Sequence, residues 1–289
     1  MIWGEVLWDR FPDGAKLGGA PANVAWHLGL AGGWARLVSR VGDDDDGRRA
    51  LAVLGEVCDV SLVQIDRERA TGEVEVTVEA GEPRYRLVPD RAWERIACTD
   101  DVRAALAEAS VFVYGTLAER TPEGLAGWAA AIDAARATCV TVCDLNLRKT
   151  VHAKMATEIE RALAAADVVK VNDAELAQLA TWYEWRDPIG ALRDGRRVVA
   201  ITHGANGSTL YGEHGAIHIA GVRAHGGGDN VGCGDAYLAI LVHGMTLGWD
   251  LERCGRAASR WAAAVAAVRG ATPHFTDAQV DELLALEAA

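Results

Sequence analysis

Residues 226–237 read Gly-Gly-Gly-Asp-Asn-Val-Gly-Cys-Gly-Asp-Ala-Tyr, between a strand-like run at 216–222 and an apolar run that continues to Leu247. This order predicts a glycine-rich turn that opens directly into a helix. The free N–H groups and the dipole of a helix N-terminus favour an anion, and Gly232 and Gly234 allow the backbone to approach it closely. Asp235 is then expected in the first helical turn, beside the anion.

Asp235 is the candidate general base. A carboxylate next to a phosphate site is suited to take the proton from a hydroxyl that attacks phosphorus. An acidic residue in a first helical turn also simply complements the dipole, so this stretch alone leaves both interpretations open. Its spacing matches neither the phosphate loop that ends in Gly-Lys-Ser/Thr nor the dinucleotide pattern Gly-x-Gly-x-x-Gly.

The composition restricts the class of protein. The chain has 289 residues, half of them hydrophobic, which is enough for one α/β domain with a small addition. A formal net charge of -12 and the lack of a Lys/Arg cluster argue against nucleic-acid binding. Six scattered cysteines without a Cys-x-x-Cys pair indicate a reduced, cytoplasmic protein. Neither a signal peptide nor a membrane span is expected.

The chain alternates strand and helix patterns. Residues 2–9 read as a buried first strand that ends at Asp9, followed by a loop at 10–17. From residue 100 onward the alternation is regular, and it predicts a doubly wound, mostly parallel central sheet with helices on both faces. We expect a single domain that spans residues 1–289.

One segment breaks this alternation. Residues 72–79 alternate charged and apolar side chains, and a turn at 80–83 leads into 85–88. That pattern is typical of a hairpin with one solvated face, so we expect a small β addition at about 66–92. Its free face is available to a ligand or to a second subunit, which allows a homodimer through this element. Trp93 either lines the site or anchors the hairpin.

A second glycine turn lies at the start of another predicted helix. Gly18 and Gly19 precede Asn23, and Asp9 ends the strand before them. Ligands of open α/β sheets gather at such positions. Asp and Asn together bind sugar hydroxyls well, because one only accepts hydrogen bonds and the other also donates them. Both residues could instead act only as caps.

Two of these strings resemble a known family. The stretch at 229–235, Asp-Asn-Val-Gly-Cys-Gly-Asp, resembles the Asp-Thr-x-Gly-Ala-Gly-Asp signature of the ribokinase-like (PfkB) carbohydrate kinases, with Asn230 and Cys233 in place of Thr and Ala. The string at 18–25, Gly-Gly-Ala-Pro-Ala-Asn-Val-Ala, resembles the first signature of fructokinase-type members.

The resemblance implies transfer of the γ-phosphoryl group of ATP to a sugar hydroxymethyl group, with Asp235 as the base and the hairpin as a lid over the sugar. The backbone N–H groups of Gly232, Cys233 and Gly234 would form an anion hole. The residues that would hold the sugar are Asp9, Gly18, Gly19 and Asn23.

Further motifs follow the later strands. Arg148 ends an Asp-x-Asn-x-Arg string whose arginine, in fructokinase-like relatives, faces the substrate or the transferring phosphate; alternatively it is a surface arginine paired with Asp144. Asn172 and Glu175 resemble the Asn-x-x-Glu motif of the family, which is linked to magnesium and phosphate. They stand three residues apart on one helical face, and the simpler account is a helix cap with its partner.

The nucleotide is expected beyond these motifs. Thr202, Gly204 and Gly207 resemble the nucleotide loop of the family, although a glycine hairpin would give the same pattern. By position, Ser259 would face the adenine side. As in relatives, the backbone around Asp229 and Val231 is expected to bind a monovalent cation such as K⁺, in addition to Mg²⁺ at the phosphates.

Two alternatives to a fructokinase-like enzyme stay open. One is a kinase for a riboside or another sugar, and the other is a sugar- or nucleotide-sensing relative with impaired catalysis. The presence of Asp235 together with the signature glycines Gly232 and Gly234 argues against the second. Cys233 is expected to be the most reactive thiol, since a helix N-terminus lowers a thiol pKa, unless its side chain points inward.

Overall fold

The computed structural model describes residues 1–12, 14–79, 82–148 and 152–285. The strands of this part of the chain are β1 Ile2–Trp3, β2 Leu7–Phe11, β3 Gly14–Gly18, β4 Leu37–Val38, β5 Arg40–Gly42, β6 Gln64–Asp66, β7 Gly72–Glu79, β8 Glu82–Leu87, β9 Val111–Tyr114, β10 Val140–Asp144, β11 Val168–Asn172, β12 Val198–Thr202, β13 Ser208–Gly212 and β14 Gly215–Ile219. The helices are α1 Ala20–Leu30, α2 Asp45–Leu54, α3 Asp100–Glu108, α4 Pro122–Ala135, α5 Ala156–Ala165, α6 Asp173–Trp182, α7 Pro188–Arg193, α8 Cys233–Thr246, α9 Leu251–Ala266 and α10 Asp277–Leu284.

The central sheet has the strand order β14-β13-β12-β11-β10-β9-β1-β4. Its strands pair in parallel from β4 to β12, whereas β13 and β14 continue the sheet in antiparallel pairing. Parallel strands need crossover connections, and the intervening helices provide them. The predicted mostly parallel sheet is therefore confirmed.

Side chains of the central strands alternate between two apolar cores. In β9, Val113 packs into the core that contains α1, α8 and α9, whereas Phe112 and Tyr114 pack into the core that contains α3, α4 and α5. Neighbouring residues of a strand point to opposite faces of the sheet. Because both faces are covered by helices, the central strands read as continuous apolar runs.

The prediction of one strand over 2–9 is wrong. β1 ends at Trp3, and the chain leaves the central sheet at Gly4, whose φ is 147°. A Cβ on Gly4 would lie 2.4 Å from the Cγ of Pro21, so only glycine fits here. The apolar run then resumes in β2, which belongs to a different sheet, and most of the predicted loop at 10–17 is strand.

The second sheet has the order β3-β2-β7-β8. It contains the hairpin predicted at 72–88, and β2 and β3 join that hairpin through parallel pairing of β2 with β7. The predicted turn falls partly on residues 80–81, outside the described residues. Trp93 is fully buried, and a Cβ on Gly72 would lie 2.5 Å from its ring. Trp93 therefore anchors the start of β7.

Element boundaries differ from expectation where side chains decide them. The sequence pattern predicts a helix over 47–57, and α2 begins two residues earlier because the Asp44 carboxylate caps it by accepting from the Gly47 N–H. The pattern also predicts a helix over about 151–166; α5 begins at Ala156, and residue 151 lies outside the described residues. None of the helices in the described ranges is both long and apolar enough to cross a membrane.

Candidate active site

The carboxyl ends of the parallel strands bring several predicted residues together. The register pairs Asp144 at the end of β10 with Lys170 of β11, and Asn172 at the end of β11 with Thr202 of β12. Ligands of open α/β sheets bind outside this edge. The N-termini of α1 and α8 face the same region, since a hydrogen bond joins Asn23 in the first turn of α1 to Asp235 in the first turn of α8.

The start of α8 has the geometry that an anion requires. Gly232 precedes the helix with a φ of 76°, and a Cβ there would lie 2.5 Å from the Cβ of Ala271. The N–H groups of Gly232, Gly234 and Asp235 have no acceptor among the residues that the structure describes, whereas the Cys233 N–H donates to the Asn230 carbonyl at 3.5 Å. The first regular helical bond runs from the Ala236 N–H to the Gly232 carbonyl, at 2.8 Å. Three donors therefore remain for a ligand.

Asp229 closes the turn that leads into α8. Its carboxylate accepts hydrogen bonds from the N–H of Gly270, at 3.2 and 3.3 Å, and from the N–H of Val231, at 3.1 Å. These bonds fasten the turn to the segment after α9, so the side chain of Asp229 is used in holding the loop. Only its backbone carbonyl, with that of exposed Val231, remains for a cation.

Asp235 lies in the first turn of α8 and is buried. Its Oδ2 accepts a 2.7 Å hydrogen bond from the Asn23 Nδ2 of α1. Burial raises the pKa of the Asp235 carboxyl to about 6, and the nearby Asp144 carboxylate adds to the rise, whereas Lys170 and Asn23 oppose it. A carboxylate with this pKa is a competent general base near neutral pH.

The amide of Asn23 has a free acceptor beside the base. Because the Asp235 carboxylate only accepts, the amide nitrogen of Asn23 must face it and the Oδ1 atom points the other way. This Oδ1 is buried and has no partner in the described parts of the chain. Buried polar atoms are usually satisfied, so a hydroxyl of a bound ligand is the expected partner.

Lys170 forms the floor of the site, and sequence reasoning missed its role. Its Nζ donates to both carboxylate oxygens of Asp144, at 2.9 and 3.2 Å, and both side chains are buried. Burial alone would lower the pKa of Lys170, but Asp144, Glu175 and Asp235 outweigh this and keep it raised. A Cβ on Gly234 would lie 2.8 Å from this Nζ, so the ammonium occupies the space of a side chain at 234. A lysine within a buried strand was the available signal.

Asp9 faces the site from the second sheet. It lies in β2, paired with Lys16 of β3 and Val74 of β7, and does not end a strand of the central sheet as predicted. Its Oδ2 would lie 2.6 Å from a Cβ on Gly18, which explains glycine at that position. Burial raises the pKa of Asp9 to about 6, and the positive charges of Arg148 and Lys16 oppose the rise.

Glu5 is a second residue whose role sequence reasoning missed. It is buried, and its Oε1 accepts a 3.2 Å hydrogen bond from the Ala20 N–H at the start of α1. Gly19, the residue before α1, has no side chain to cap the helix, and a Cβ there would lie 2.4 Å from the Glu5 carbonyl oxygen. Burial raises the pKa of Glu5 to about 7. Its position in a loop between two strands gave no local pattern.

Arg148 follows β10 and is exposed. The alternative that it pairs with Asp144 is wrong, because Lys170 occupies both oxygens of that carboxylate. No described carboxylate lies within ion-pair distance of its guanidinium, yet its charge lowers the pKa of Glu5, Asp9 and Asp235. A cavity lies between the start of α1 and the loop after β10, and its lining includes Glu5, Asp144 and Arg148.

Asn172 and Glu175 form a reciprocal helix cap. The Asn172 Oδ1 accepts from the Glu175 N–H at 2.9 Å, and the Glu175 Oε2 accepts from the Asn172 N–H at 2.8 Å. The other Glu175 oxygen accepts from the Leu147 N–H at 2.8 Å. The described residues hold no group of three or more His, Cys, Asp or Glu side chains that would bind a metal. The helix cap that the sequence offered as the simpler account is therefore confirmed, and because both Glu175 oxygens are engaged, a Mg²⁺ ion here would be held through water.

The loop after β12 carries the predicted nucleotide residues. Thr202 ends β12, and Gly204 and Gly207 have φ values of 58° and 95°. A Cβ on Gly207 would lie 2.0 Å from the Ile219 carbonyl oxygen, so this loop also requires glycine for its packing against β14. Ser259 is buried in α9, which packs against β13, β14 and α8.

The expectation of a reactive Cys233 is wrong in its premise. Burial raises the pKa of the Cys233 thiol to about 11, and the carboxylates of Asp229 and Asp235 add to the rise. These effects outweigh the helix N-terminus. The side chain is half-buried with its Sγ 4.0 Å from the Asp229 carbonyl oxygen, so it packs into the turn as an uncharged thiol.

These features define the class of protein. The model of the pfkB family of carbohydrate kinases matches residues 14–278, and the chain belongs to this family. It is an ATP-dependent carbohydrate kinase with the ribokinase-like fold. The residues with site geometry described above lie in or just before the matched range.

Individual relatives agree with this assignment. Fructokinase-1 of Zea mays is 29% identical over 265 residues, which cover 84% of this chain and 81% of that protein. An uncharacterised sugar kinase from Pyrococcus horikoshii, solved in complex with ATP, is 25% identical, with a TM-score of 0.81 over 93% of this chain and 92% of that one. Fructokinase from Xylella fastidiosa, solved with bound ATP, shares the fold, with a TM-score of 0.86 at 21% identity over 98% and 97% of the two chains.

Proposed function

We propose that this protein transfers the γ-phosphoryl group of ATP to the hydroxymethyl group of a fructose-type sugar, with Asp235 as the general base. The observation that carries the proposal is the pairing of Asp235 with Asn23 directly beside the free N–H groups that begin α8. A proton acceptor, a hydroxyl acceptor and an anion site then lie within one small region.

The sugar would lie between α1 and the second sheet. Asp9 presents a carboxylate from β2, and Asn23 presents its unpartnered Oδ1. Gly18 leaves room for the Asp9 carboxylate, and Gly19 allows the start of α1 to approach the backbone of Glu5; both glycines would line the sugar site. The acceptor hydroxyl would then donate its proton to Asp235 as its oxygen forms the new bond to phosphorus.

The transferred phosphoryl group would lie at the N-terminus of α8. The unpartnered N–H groups of Gly232, Gly234 and Asp235 would donate to its oxygens, together with the Cys233 N–H, whose bond to the Asn230 carbonyl is long at 3.5 Å. The guanidinium of Arg148, which has no ion-pair partner among the described residues, would approach from the loop after β10. Fixed donors of this kind stabilise the charge on the phosphoryl oxygens as the bond to ADP breaks.

The nucleotide would extend from α8 along the carboxyl end of β12. Thr202, Gly204 and Gly207 would contact ATP, and Ser259 would lie on the adenine side. Mg²⁺ supplies charge neutralisation at the phosphates when bound, and Asn172 and Glu175 would hold its water shell. The backbone carbonyls of Asp229 and Val231 would bind a monovalent cation such as K⁺.

The second sheet would act as a lid. It carries Asp9 on a strand that pairs with the hairpin, so closure over the sugar would also exclude water from the phosphoryl group. Its remaining free face is available to a second subunit, and a homodimer through the lid follows as a proposal. We infer a cytoplasmic location from the six free thiols.

A substrate panel tests the proposal. Wild-type protein with ATP and Mg²⁺ is assayed against fructose, other hexoses, ribose and ribosides, and the products are located by phosphorus-31 NMR. Phosphorylation of a fructose hydroxymethyl group supports the proposal. Preference for a riboside would retain the mechanism and replace the substrate, and ATP binding without transfer to any acceptor would favour a sensing role.

A further inference from the structure

Both backbone polar groups of Arg148 bond to one buried residue, His152. The Arg148 N–H donates to the His152 Nδ1 at 2.7 Å, and the His152 N–H donates to the Arg148 carbonyl at 2.9 Å. Both backbone polar groups of Arg148 are thus satisfied by one residue. His152 is 1% exposed, although the guanidinium that it supports is at the surface of the site.

The partners of the imidazole fix its tautomer. Thr116 is buried, and its only hydroxyl proton is donated to the Leu145 carbonyl at 3.0 Å. The Thr116 Oγ1 must therefore accept from the His152 Nε2, at 2.9 Å. The His152 Nδ1 lies 2.7 Å from the Arg148 N–H, which can only donate, and 3.2 Å from the Arg148 carbonyl oxygen. We assign the Nδ1 as the acceptor of the shorter contact, so the neutral ring carries its proton on Nε2. Burial also lowers the pKa of His152 to about 4, which keeps this form at neutral pH.

The same hydroxyl links the ring to the strand end. Thr116 follows β9 and Leu145 follows β10, so the chain Leu145–Thr116–His152–Arg148 ties the loop after β10 to the neighbouring strand. Leu145 is the first residue after β10, and Arg148 follows three residues later. Asn146 between them has a φ of 40°, a left-handed conformation that persists only where the surroundings hold it.

We propose that His152 is the positioning residue for Arg148: its neutral ring, anchored on Thr116, fixes the backbone that aims the guanidinium at the sugar and the transferred phosphoryl group. This inference rests on the proposed function, in which Arg148 contacts these groups. His152 acts only through Arg148 and touches no reacting atom.

Two substitutions of similar shape test the two ring nitrogens of His152 separately. In His152→Asn the side-chain oxygen can replace the Nδ1 acceptor for Arg148 but cannot reach Thr116. In His152→Gln the terminal NH₂ can replace the Nε2 donor to Thr116 but leaves the Arg148 N–H without its acceptor. Both variants place an amide in the core, so any general cost of burying this polar group is present in both and does not cause a difference between them.

The experiment compares these variants in the presence and absence of the guanidinium. With Arg148 present, we expect His152→Gln to lower kcat/KM for the sugar by ~10-fold or more and His152→Asn by less than ~3-fold. Only His152→Gln removes the acceptor of the Arg148 N–H and so loosens the backbone that aims the guanidinium, and one hydrogen bond left unmade corresponds to roughly a 10-fold factor. In an Arg148→Ala background the two should differ by less than ~2-fold, because a residue that acts through Arg148 has no further effect once Arg148 is removed.

Hydrogen exchange gives a readout that is independent of turnover. The Arg148 amide should be protected in wild type and in His152→Asn, and should exchange at least ~10-fold faster in His152→Gln, since its acceptor is lost. Equal exchange in the two variants overturns the inference even if no sugar is phosphorylated.

Additive losses in the Arg148→Ala background, or a His152→Gln variant as active as His152→Asn, likewise overturn it while leaving the kinase proposal intact.

Discussion

The Asn23 Nδ2 donates a 2.7 Å hydrogen bond to the Asp235 Oδ2 across 212 residues of sequence. This bond joins the first turn of α1 to the first turn of α8, the two helices that begin at the glycine strings. The group proposed to hold the sugar and the group proposed to remove its proton are therefore one hydrogen-bonded unit. A change at Asn23 should alter the titration of the base as well as the affinity for the sugar.

Asn23→Ala should shift the pH dependence of kcat/KM. The Asp235 carboxylate is the active form, so activity is present above its pKa and is lost as the pH falls through about 6. The hydrogen bond from Asn23 favours the carboxylate and lowers this pKa. We expect the acid limb of the variant to move to higher pH, measured as kcat/KM for the sugar between pH 5 and 8.

Glu5 and Asp9 also titrate in this range, and Asn23 bonds to neither, so only the shift between wild type and variant is diagnostic. If the acid limb of the pH profile stays in place and only the sugar KM changes, Asn23 does not influence the pKa of the catalytic base.

The sequence predicted the central sheet because both of its faces are covered. Continuous apolar strands such as β9 to β12 alternate with amphipathic helices, and that pattern has few other interpretations. The helix starts at Pro122 and Asp173 were also predictable, since Thr121 and Asn172 are local caps. The predicted site strings lie where the strand ends and helix starts converge.

The parts that sequence could not give depend on distant partners. Residues 2–9 resemble one strand because β1 and β2 are both apolar, although they belong to different sheets. Only the close approach of Pro21 to Gly4, which the sequence does not show, marks where β1 ends. Lys170 gains its role from Asp144, 26 residues away. For Cys233, the helix dipole lowers the thiol pKa whereas burial raises it, and the sequence alone does not show which effect is larger.

Asp9→Ala should weaken sugar binding far more than ATP binding. A buried carboxylate that holds hydroxyls contributes roughly 1.5–3 kcal/mol for each charged hydrogen bond. We expect a rise in the sugar KM with the ATP KM little changed, measured by steady-state kinetics. Asp133→Ala, an exposed carboxylate on α4, is the matched control. An unchanged sugar KM with intact turnover would remove Asp9 from the site.

Lys170→Met should destabilise the fold as well as impair catalysis. It leaves the Asp144 carboxylate buried without its cation, and breaking such a pair costs about 3–5 kcal/mol. The double variant Asp144→Asn, Lys170→Met removes both charges and should recover most of that loss in denaturant unfolding.

Activity should not return with stability, because the cation below Gly234 is absent in both variants. If Lys170→Met unfolds at the wild-type denaturant midpoint, the Asp144–Lys170 pair contributes nothing to the stability of the fold.

The hairpin of β7 and β8 should become more protected when sugar binds. Asp9 lies on β2, which pairs with β7, so a ligand held by Asp9 should stabilise the second sheet as a unit. We expect slower amide exchange at 72–79 with sugar present and no comparable change in α4, which serves as the internal control. Identical exchange with and without sugar would mean that this sheet is not a lid.

Phosphoryl transfer by wild type and by Asp235→Asn tests the central claim most directly. Each protein is incubated with ATP, Mg²⁺ and the panel of sugars, and phosphorylated products are measured by phosphorus-31 NMR, with ATP affinity determined separately. We predict phosphorylation of a sugar hydroxymethyl group by wild type and a fall of ~10²–10⁴-fold in turnover for Asp235→Asn, the usual contribution of a positioned base, with ATP affinity little changed. Turnover by Asp235→Asn within a factor of a few of wild type would contradict the account.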